Sequence, residues 1–213
     1  MQNDLFSAPE VLVLDGAAEL HIFRRWMDAS EAGQLLEHFA HAICWEQPEI
    51  RIGAELKKIP RLQAWYGDAD ARMHYSGKAF VPRAWTSELL DLKTRVEHCC
   101  EQGFNSVLLN CYRDQRDSVA WHADDEEELG ENPVIASLSL GESRRFLMRQ
   151  KRASDARGGV RNRQLDLQHG DLLVMGRGIQ RRWQHCVPKE SGARKTRINL
   201  TFRQILIAAK GRG

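Results

Sequence analysis

The sequence predicts an α+β fold, mainly β, with a double-stranded β-helix (jelly-roll) core and N-terminal helices packed on one face. Three observations predict it. Two segments ahead of Phe104 repeat their apolar residues at helical spacing, the apolar period changes to two after Gly103, and turn residues separate the short alternating runs that follow. Many short strands after two helices form a double sheet that buries one face under the helices. The 213 residues fit one domain over 1–213. It divides into an N-terminal helical part, 1–104, and a jelly-roll core, 105–207.

Val11–Asp15 reads as a short strand. The first helix is expected over Ser30–Ile43, where Leu35, Leu36, Phe39 and Ile43 share a face and Asp28 or Ser30 can cap the start. The second is expected over Thr86–Gln102, with Leu89, Leu92, Val96 and Cys99 or Cys100 on one side. Strands are expected over Asn105–Arg113, Val134–Leu140, Arg144–Gln150, Arg163–Gln168, Asp171–Met175, Trp183–Val187 and Arg197–Ile205. Turn residues lie between them, among them Asn132–Pro133, Gly158–Gly159, His169–Gly170–Asp171 and Ser191–Gly192.

Composition narrows the class. With 42% hydrophobic and 28% charged residues, the chain is neither collagenous, coiled-coil nor wholly disordered. Its five cysteines are odd in number, lack a Cys-x-x-Cys pair and include the adjacent Cys99–Cys100, which excludes a disulfide framework or zinc ribbon. A reducing interior is expected: the cytoplasm, or the nucleus in a eukaryote. Residues 1–10 do not read as a signal peptide, and no run approaches the roughly 18 apolar residues of a membrane span.

The net charge of +2 hides a segregation. Residues 1–140 carry 13 Lys+Arg against 24 Asp+Glu, and residues 141–213 carry 18 against 5. Of the 31 basic residues 23 are Arg, the side chain suited to bidentate phosphate recognition. The basic excess is densest in Arg144–Arg163, which reads as a basic hairpin or loop. Either a polyanion partner or a solvated surface explains it.

The chemistry-bearing residues come in pairs at i, i+2, which point the same way on an extended segment. His122-x-Asp124 is one pair; alone it is either a solvated pair or two metal ligands. His185 lies on a predicted strand and is either a core histidine or a third ligand. Two His and one carboxylate form the facial triad of non-haem Fe(II) oxygenases, with coordination positions left open. On Arg197–Arg203, residues Ile198, Leu200 and Phe202 face one way, and Arg197, Asn199, Thr201 and Arg203 the other. That polar face is either solvated or turned inward. If inward, its two guanidiniums need anions, which a dicarboxylate supplies. Asn110 and Tyr112 form a second polar pair.

These residues resemble the AlkB family of Fe(II)/2-oxoglutarate dioxygenases. The resemblance rests on Asn110-x-Tyr112, His122-x-Asp124–Asp125, His169–Gly170–Asp171–Leu172–Leu173, Trp183-x-His185 and Arg197-x-Asn199–Leu200–Thr201–Phe202–Arg203. Pro60–Arg61, Tyr66–Gly67–Asp68 and Tyr75–Ser76–Gly77 extend it forward, so that it covers residues 50 to 205. It looks closest to the branch containing the eukaryotic double-strand DNA repair homologue.

The resemblance implies oxidative demethylation of alkylated DNA bases, N1-methyladenine and N3-methylcytosine, with Fe(II), 2-oxoglutarate and O2. Residues 1–104 would then carry nucleotide recognition and 105–207 catalysis. His122, Asp124 and His185 would hold iron. Arg197 would pair with the distal carboxylate of 2-oxoglutarate and Arg203 with its metal-proximal end, with Asn110, Tyr112 and Thr201 completing that pocket. Met73, His74, Tyr75, Ser76, Asp125 and Arg61 would contact the base, Tyr75 by stacking and Asp125 at the polar edge. Met73 stands where the repair branch has a tyrosine, and Gly53 stands at the phenylalanine position of its apolar finger. Arg144, Arg145, Arg149, Lys151, Arg152, Arg157, Arg161 and Arg163 would neutralise phosphates. The expected partner is alkylated DNA, or RNA, bound by a monomer without a membrane. A same-chemistry oxygenase of RNA or protein, and a non-catalytic nucleic-acid-binding module, are the competing readings.

Overall fold

Alternation along the later strands sorts their side chains onto two faces. In the computed structural model those faces become a helix-covered layer and a sheet-to-sheet interior. The structure describes residues 8–15, 18–75, 78–151 and 162–206. In chain order it forms strands β1 (Glu10–Asp15) and β2 (Ala18–Phe23), helix α1 (Ala29–Ala42), and strands β3 (Glu49–Ile52), β4 (Glu55–Lys58), β5 (Leu62–Gly67), β6 (Met73–Tyr75) and β7 (Lys78–Phe80). Helix α2 (Ser87–Cys100) follows, then β8 (Ser106–Tyr112), β9 (Val119–His122), β10 (Ile135–Gly141), β11 (Arg144–Gln150), β12 (Asn162–Leu167) and β13 (Leu172–Met175). A single helical turn, α3 (Ile179–Arg182), leads into β14 (Trp183–Val187), and β15 (Arg197–Arg203) closes the core.

Among the described residues, a seven-stranded sheet runs β1-β2-β13-β10-β15-β8-β5 and faces a four-stranded sheet, β12-β11-β14-β9. Every ladder in both is antiparallel. Two hairpins, β3–β4 and β6–β7, stand outside these sheets. Strands β1, β2 and β5 precede residue 105 yet belong to the large sheet, so a line at 104/105 does not separate two structural bodies.

Both helices form where the apolar spacing places them. Asp28, not Ser30, caps α1: its side chain accepts the main-chain N–H groups of Ser30 and Glu31. Thr86 caps α2 by accepting the N–H of Leu89. Phe39 of α1 and Leu89, Leu92 and Val96 of α2 pack on Leu109, Leu138, Ile198, Leu200 and Phe202 of the large sheet. Arg95 of α2 ties the helices together through Glu31 and lies 5.3 Å over the Trp26 ring. The other face of that sheet packs Ile135, Leu173 and Met175 against Phe146, Met148 and Trp183 of the smaller sheet's side.

The His169–Gly170–Asp171 turn has a structural reason. Asp171 is buried and accepts from Arg24 Nη1 (2.6 Å) and from the N–H groups of Arg25 and Gln168 (both 3.0 Å). Gly170 has φ of 80°, and a Cβ there would lie 2.3 Å from the Met27 carbonyl oxygen. Gly170→Ala is expected to destabilise the protein by about 2–3 kcal/mol, read as a lower urea midpoint at unchanged slope. Gly33→Ala in α1 meets nothing within 4 Å and is expected to stabilise by about 0.5–1 kcal/mol.

Candidate metal centre and its cavity

Antiparallel pairing of β9 with β14 puts His122 directly opposite His185. Their ring centroids are 4.3 Å apart, and Asp124 joins them from just beyond the end of β9. The three residues present ligand atoms that all lie within 4.8 Å of one another. Nδ1 of His122 lies 2.9 Å from the Ala120 carbonyl, which fixes the proton there and frees Nε2. That Nε2 is 3.9 Å from Asp124 Oδ1. His185 is buried and stacks on Phe146, and its Nδ1 has no protein partner. Burial pushes the His185 pKa down to about 3, so the imidazole is neutral and keeps a lone pair for a metal.

Burial alone would raise the Asp124 pKa, but the Arg203 guanidinium and the two imidazoles override it and hold it at about 2. Arg203 Nη2 donates to Asp124 Oδ1 at 2.7 Å. An ionised carboxylate beside two imidazoles is the donor set that suits Fe(II).

The triad opens onto a cavity of about 660 Å³ between the sheets. The polar face of β15 is turned inward, and Arg197, Asn199, Thr201 and Arg203 line the cavity with Asn110 and Tyr112 of β8. Arg197 is 1% exposed. Its Nη2 donates to Ser139 Oγ at 2.9 Å, and its guanidinium lies 5.3 Å from the Tyr112 ring centroid. Its Nε and Nη1 have no protein partner, nor does Nε of Arg203. Burial lowers the Arg197 pKa to about 10, so it remains a cation. Unpaired guanidinium nitrogens on an arginine that lines the cavity are chemically suited to a carboxylate, so these residues fit a dianion beside the metal-binding triad.

The remaining members are already engaged with one another. Arg61 Nε donates to Asn110 Oδ1 at 2.8 Å. Thr201 Oγ1 donates to Asn199 Oδ1 at 3.0 Å, and Asn199 Nδ2 donates to Ser137 Oγ at 2.8 Å. Sequence reasoning missed Ser137 and Ser139, although they are polar at i, i+2 on β10 like the other pairs. Ile50, Trp65, Met73 and Phe80 add apolar lining to the same cavity.

Several expected contacts are placed differently. Asp125 does not line the cavity; it is exposed and pairs with Lys151 Nζ at 2.8 Å. Glu126 lines it instead. That pairing also occupies Lys151. Arg144 is withdrawn from the phosphate-facing set: it is 1% exposed and donates to the carbonyls of Asp114, Asp117 and Pro188. Arg145 is held by Glu190, and Arg149 by Gln184 Oε1 while stacking 4.4 Å over Trp121. Arg163 is exposed. Ser76, Arg152, Arg157 and Arg161 lie outside the described residues, as do the side chains of His74 and Tyr75.

A family model described as "2OG-Fe(II) oxygenase superfamily" matches residues 19–203, a span containing the triad and both β15 arginines. The mouse "Alpha-ketoglutarate-dependent dioxygenase alkB homolog 3" is 38% identical over 224 residues, covering 96% of this chain and 77% of the mouse protein. The mouse "DNA oxidative demethylase ALKBH2" is 37% identical over 201 residues, covering 93% and 80%. The similarity is thus shared between the two homologues. The solved structure of OsALKBH1 superposes with a TM-score of 0.67 at 17% identity, covering 92% of this chain and 100% of that one, which shows a common fold. With the metal triad and inward arginines on one jelly-roll interior, and relatives matched along nearly the whole chain, this protein belongs to the AlkB family of the 2OG-Fe(II) oxygenase superfamily.

Proposed function

We propose that the protein is an Fe(II)- and 2-oxoglutarate-dependent oxidative demethylase of alkylated DNA bases, N1-methyladenine and N3-methylcytosine. The observation that carries it is the juxtaposition, in one cavity, of the His122–Asp124–His185 triad with buried Arg197, whose Nε and Nη1 are partnerless. A relative named as a DNA oxidative demethylase supports the substrate.

His122, Asp124 and His185 hold the iron, and Arg203 keeps Asp124 ionised. Arg197 receives the distal carboxylate of 2-oxoglutarate. Arg61 fixes the amide of Asn110, and Tyr112 and Thr201 shape the same pocket. When bound, iron and 2-oxoglutarate supply, with O2, the oxidation of the N-methyl group to an N-hydroxymethyl group lost as formaldehyde, while 2-oxoglutarate becomes succinate and CO2. A methyl on the Watson–Crick edge requires the base to leave the stack. Trp65, Met73 and Phe80 offer apolar contact to the extruded ring. N1-methyladenine and N3-methylcytosine are cationic, and Glu126 contributes negative charge at the cavity where Asp125 was expected to. The site needs no side-chain nucleophile, because the chain's part is to bind, orient and exclude water.

Arg149 and Arg163, with the partly exposed Arg145, position the DNA backbone. The protein acts as a monomer in a reducing compartment, the cytoplasm or nucleus, in keeping with five free thiols. Among the described residues no helix is long and apolar enough to cross a membrane.

Incubation with Fe(II), 2-oxoglutarate and an oligonucleotide bearing either lesion is expected to release formaldehyde in step with base restoration. Turnover confined to RNA or protein would move the substrate, and none on any of them would overturn the demethylase reading. In the same assay buffer, replacing Arg149 and Arg163 by Gln is expected to flatten the plot of log K against log salt by up to about 0.9 per lost duplex contact. An unchanged slope removes them from the interface.

A further inference from the structure

The three metal-binding residues are not held in the same way. His122 and His185 sit opposite each other in the β9–β14 ladder, so strand pairing fixes their backbones. Asp124 lies two residues past the end of β9, on a segment without regular structure. Its main-chain N–H instead donates to Gln180 Oε1 at 3.0 Å. Gln180 is 1% exposed. Its amide orientation follows from the chemistry: an N–H needs an acceptor, so the oxygen faces Asp124. The amide nitrogen then points at Met175 Sδ, 3.4 Å away.

Gln180 lies on α3, the turn that leads directly into β14 and His185. The segment that delivers one ligand therefore pins another. Lys151 adds a second tie, since its Nζ donates to both the Gln180 carbonyl and Asp125 Oδ2 at 2.8 Å. On the opposite side Arg203 draws on the Asp124 carboxylate. Among these bonds, the one to Gln180 Oε1 is made by the Asp124 main chain itself, whereas the Lys151 tie ends at the neighbouring Asp125 side chain.

We infer that Gln180 is the positioning residue for the metal-binding carboxylate, anchoring the Asp124 main chain so that its side chain meets both histidines. This rests on the iron-site reading above. Outer groups that orient metal ligands change metal affinity by about 10–100-fold when removed.

The test is a calorimetric titration of the metal-free full-length chain with Mn(II) alone. Gln180→Leu is expected to raise the Mn(II) Kd at least about tenfold. The 2-oxoglutarate KM at saturating Fe(II) should stay within about twofold of wild type, and the metal-free Tm should fall by only a few degrees. Gln180→Asn retains an amide but is one methylene too short to reach Asp124. It should show the same loss and carries the test if the Leu variant does not fold. An unchanged Mn(II) Kd in a folded variant overturns the role of Gln180 while leaving the iron site standing. A rise in the 2-oxoglutarate KM parallel to the metal loss also overturns it, by showing general distortion. Failure of the wild type to bind Mn(II) overturns the iron reading itself.

Discussion

His185→Ala is expected to lower turnover by about a thousandfold or more, roughly 4 kcal/mol of lost barrier reduction, and to remove most Mn(II) affinity. The imidazole is buried, neutral and without a protein partner at Nδ1, so its removal breaks no hydrogen bond at that atom. It does leave a cavity beside Phe146, at a moderate cost to stability. The prediction therefore separates function from folding. The variant should give a near-wild-type circular dichroism spectrum and still bind DNA, while formaldehyde release disappears. His122→Ala should behave alike but destabilise less, because its side chain is 36% exposed. Asp124→Ala differs in kind. It removes a ligand and also leaves Arg203 Nη2, 2.7 Å from Asp124 Oδ1 in the native protein, without its anion. Retained turnover in His185→Ala would end the iron assignment.

Much of this site is legible in strand alternation, because the period of two in a sequence reports which side chains share a face. The strict order of Arg197–Arg203 places Ile198, Leu200 and Phe202 under the helices and leaves the arginines facing the cavity. The same rule, applied to Arg144-x-Phe146-x-Met148, puts Arg144 inside, since all three share a buried face of β11. Its neighbour Arg145 points out, and adjacency in a basic run disguises the difference. Elements without that signal are harder to see. Strand β2 follows the same rule, since Ala18, Leu20 and Ile22 are buried and alternate with Glu19 and His21, whereas the β3–β4 hairpin is short and mostly charged and gives no clean period. The distinction between Asp125 and Glu126 falls after β9 ends, where no period operates. Gln180 lies 56 positions from Asp124, and nothing local marks it; only the folded chain brings them together.

Arg197 should give the second large effect, with opposite signs in two assays. Its guanidinium is buried, remains charged, and has Nε and Nη1 unpaired within the protein. Without an anion such a group opposes folding, because an uncompensated buried charge costs several kcal/mol. With 2-oxoglutarate bound, a carboxylate engages both free N–H groups, and charged hydrogen bonds of this kind contribute about 1.5–3 kcal/mol each. Arg197→Lys keeps the charge but loses the planar fork, so the 2-oxoglutarate KM is expected to rise about 10–100-fold. Arg197→Met removes the charge and fills similar space. The ligand-free variant is expected to match or exceed the wild type in thermal stability. Wild type in Mn(II) with 2-oxoglutarate at a hundred times its Kd should gain about 2.7 kcal/mol, and the Met variant at the same concentration should gain little. A Met variant that is strongly destabilised without ligand would mean that Ser139 and Tyr112 already satisfy Arg197, and that the cation exists to brace neighbouring strands of the large sheet rather than to hold a co-substrate.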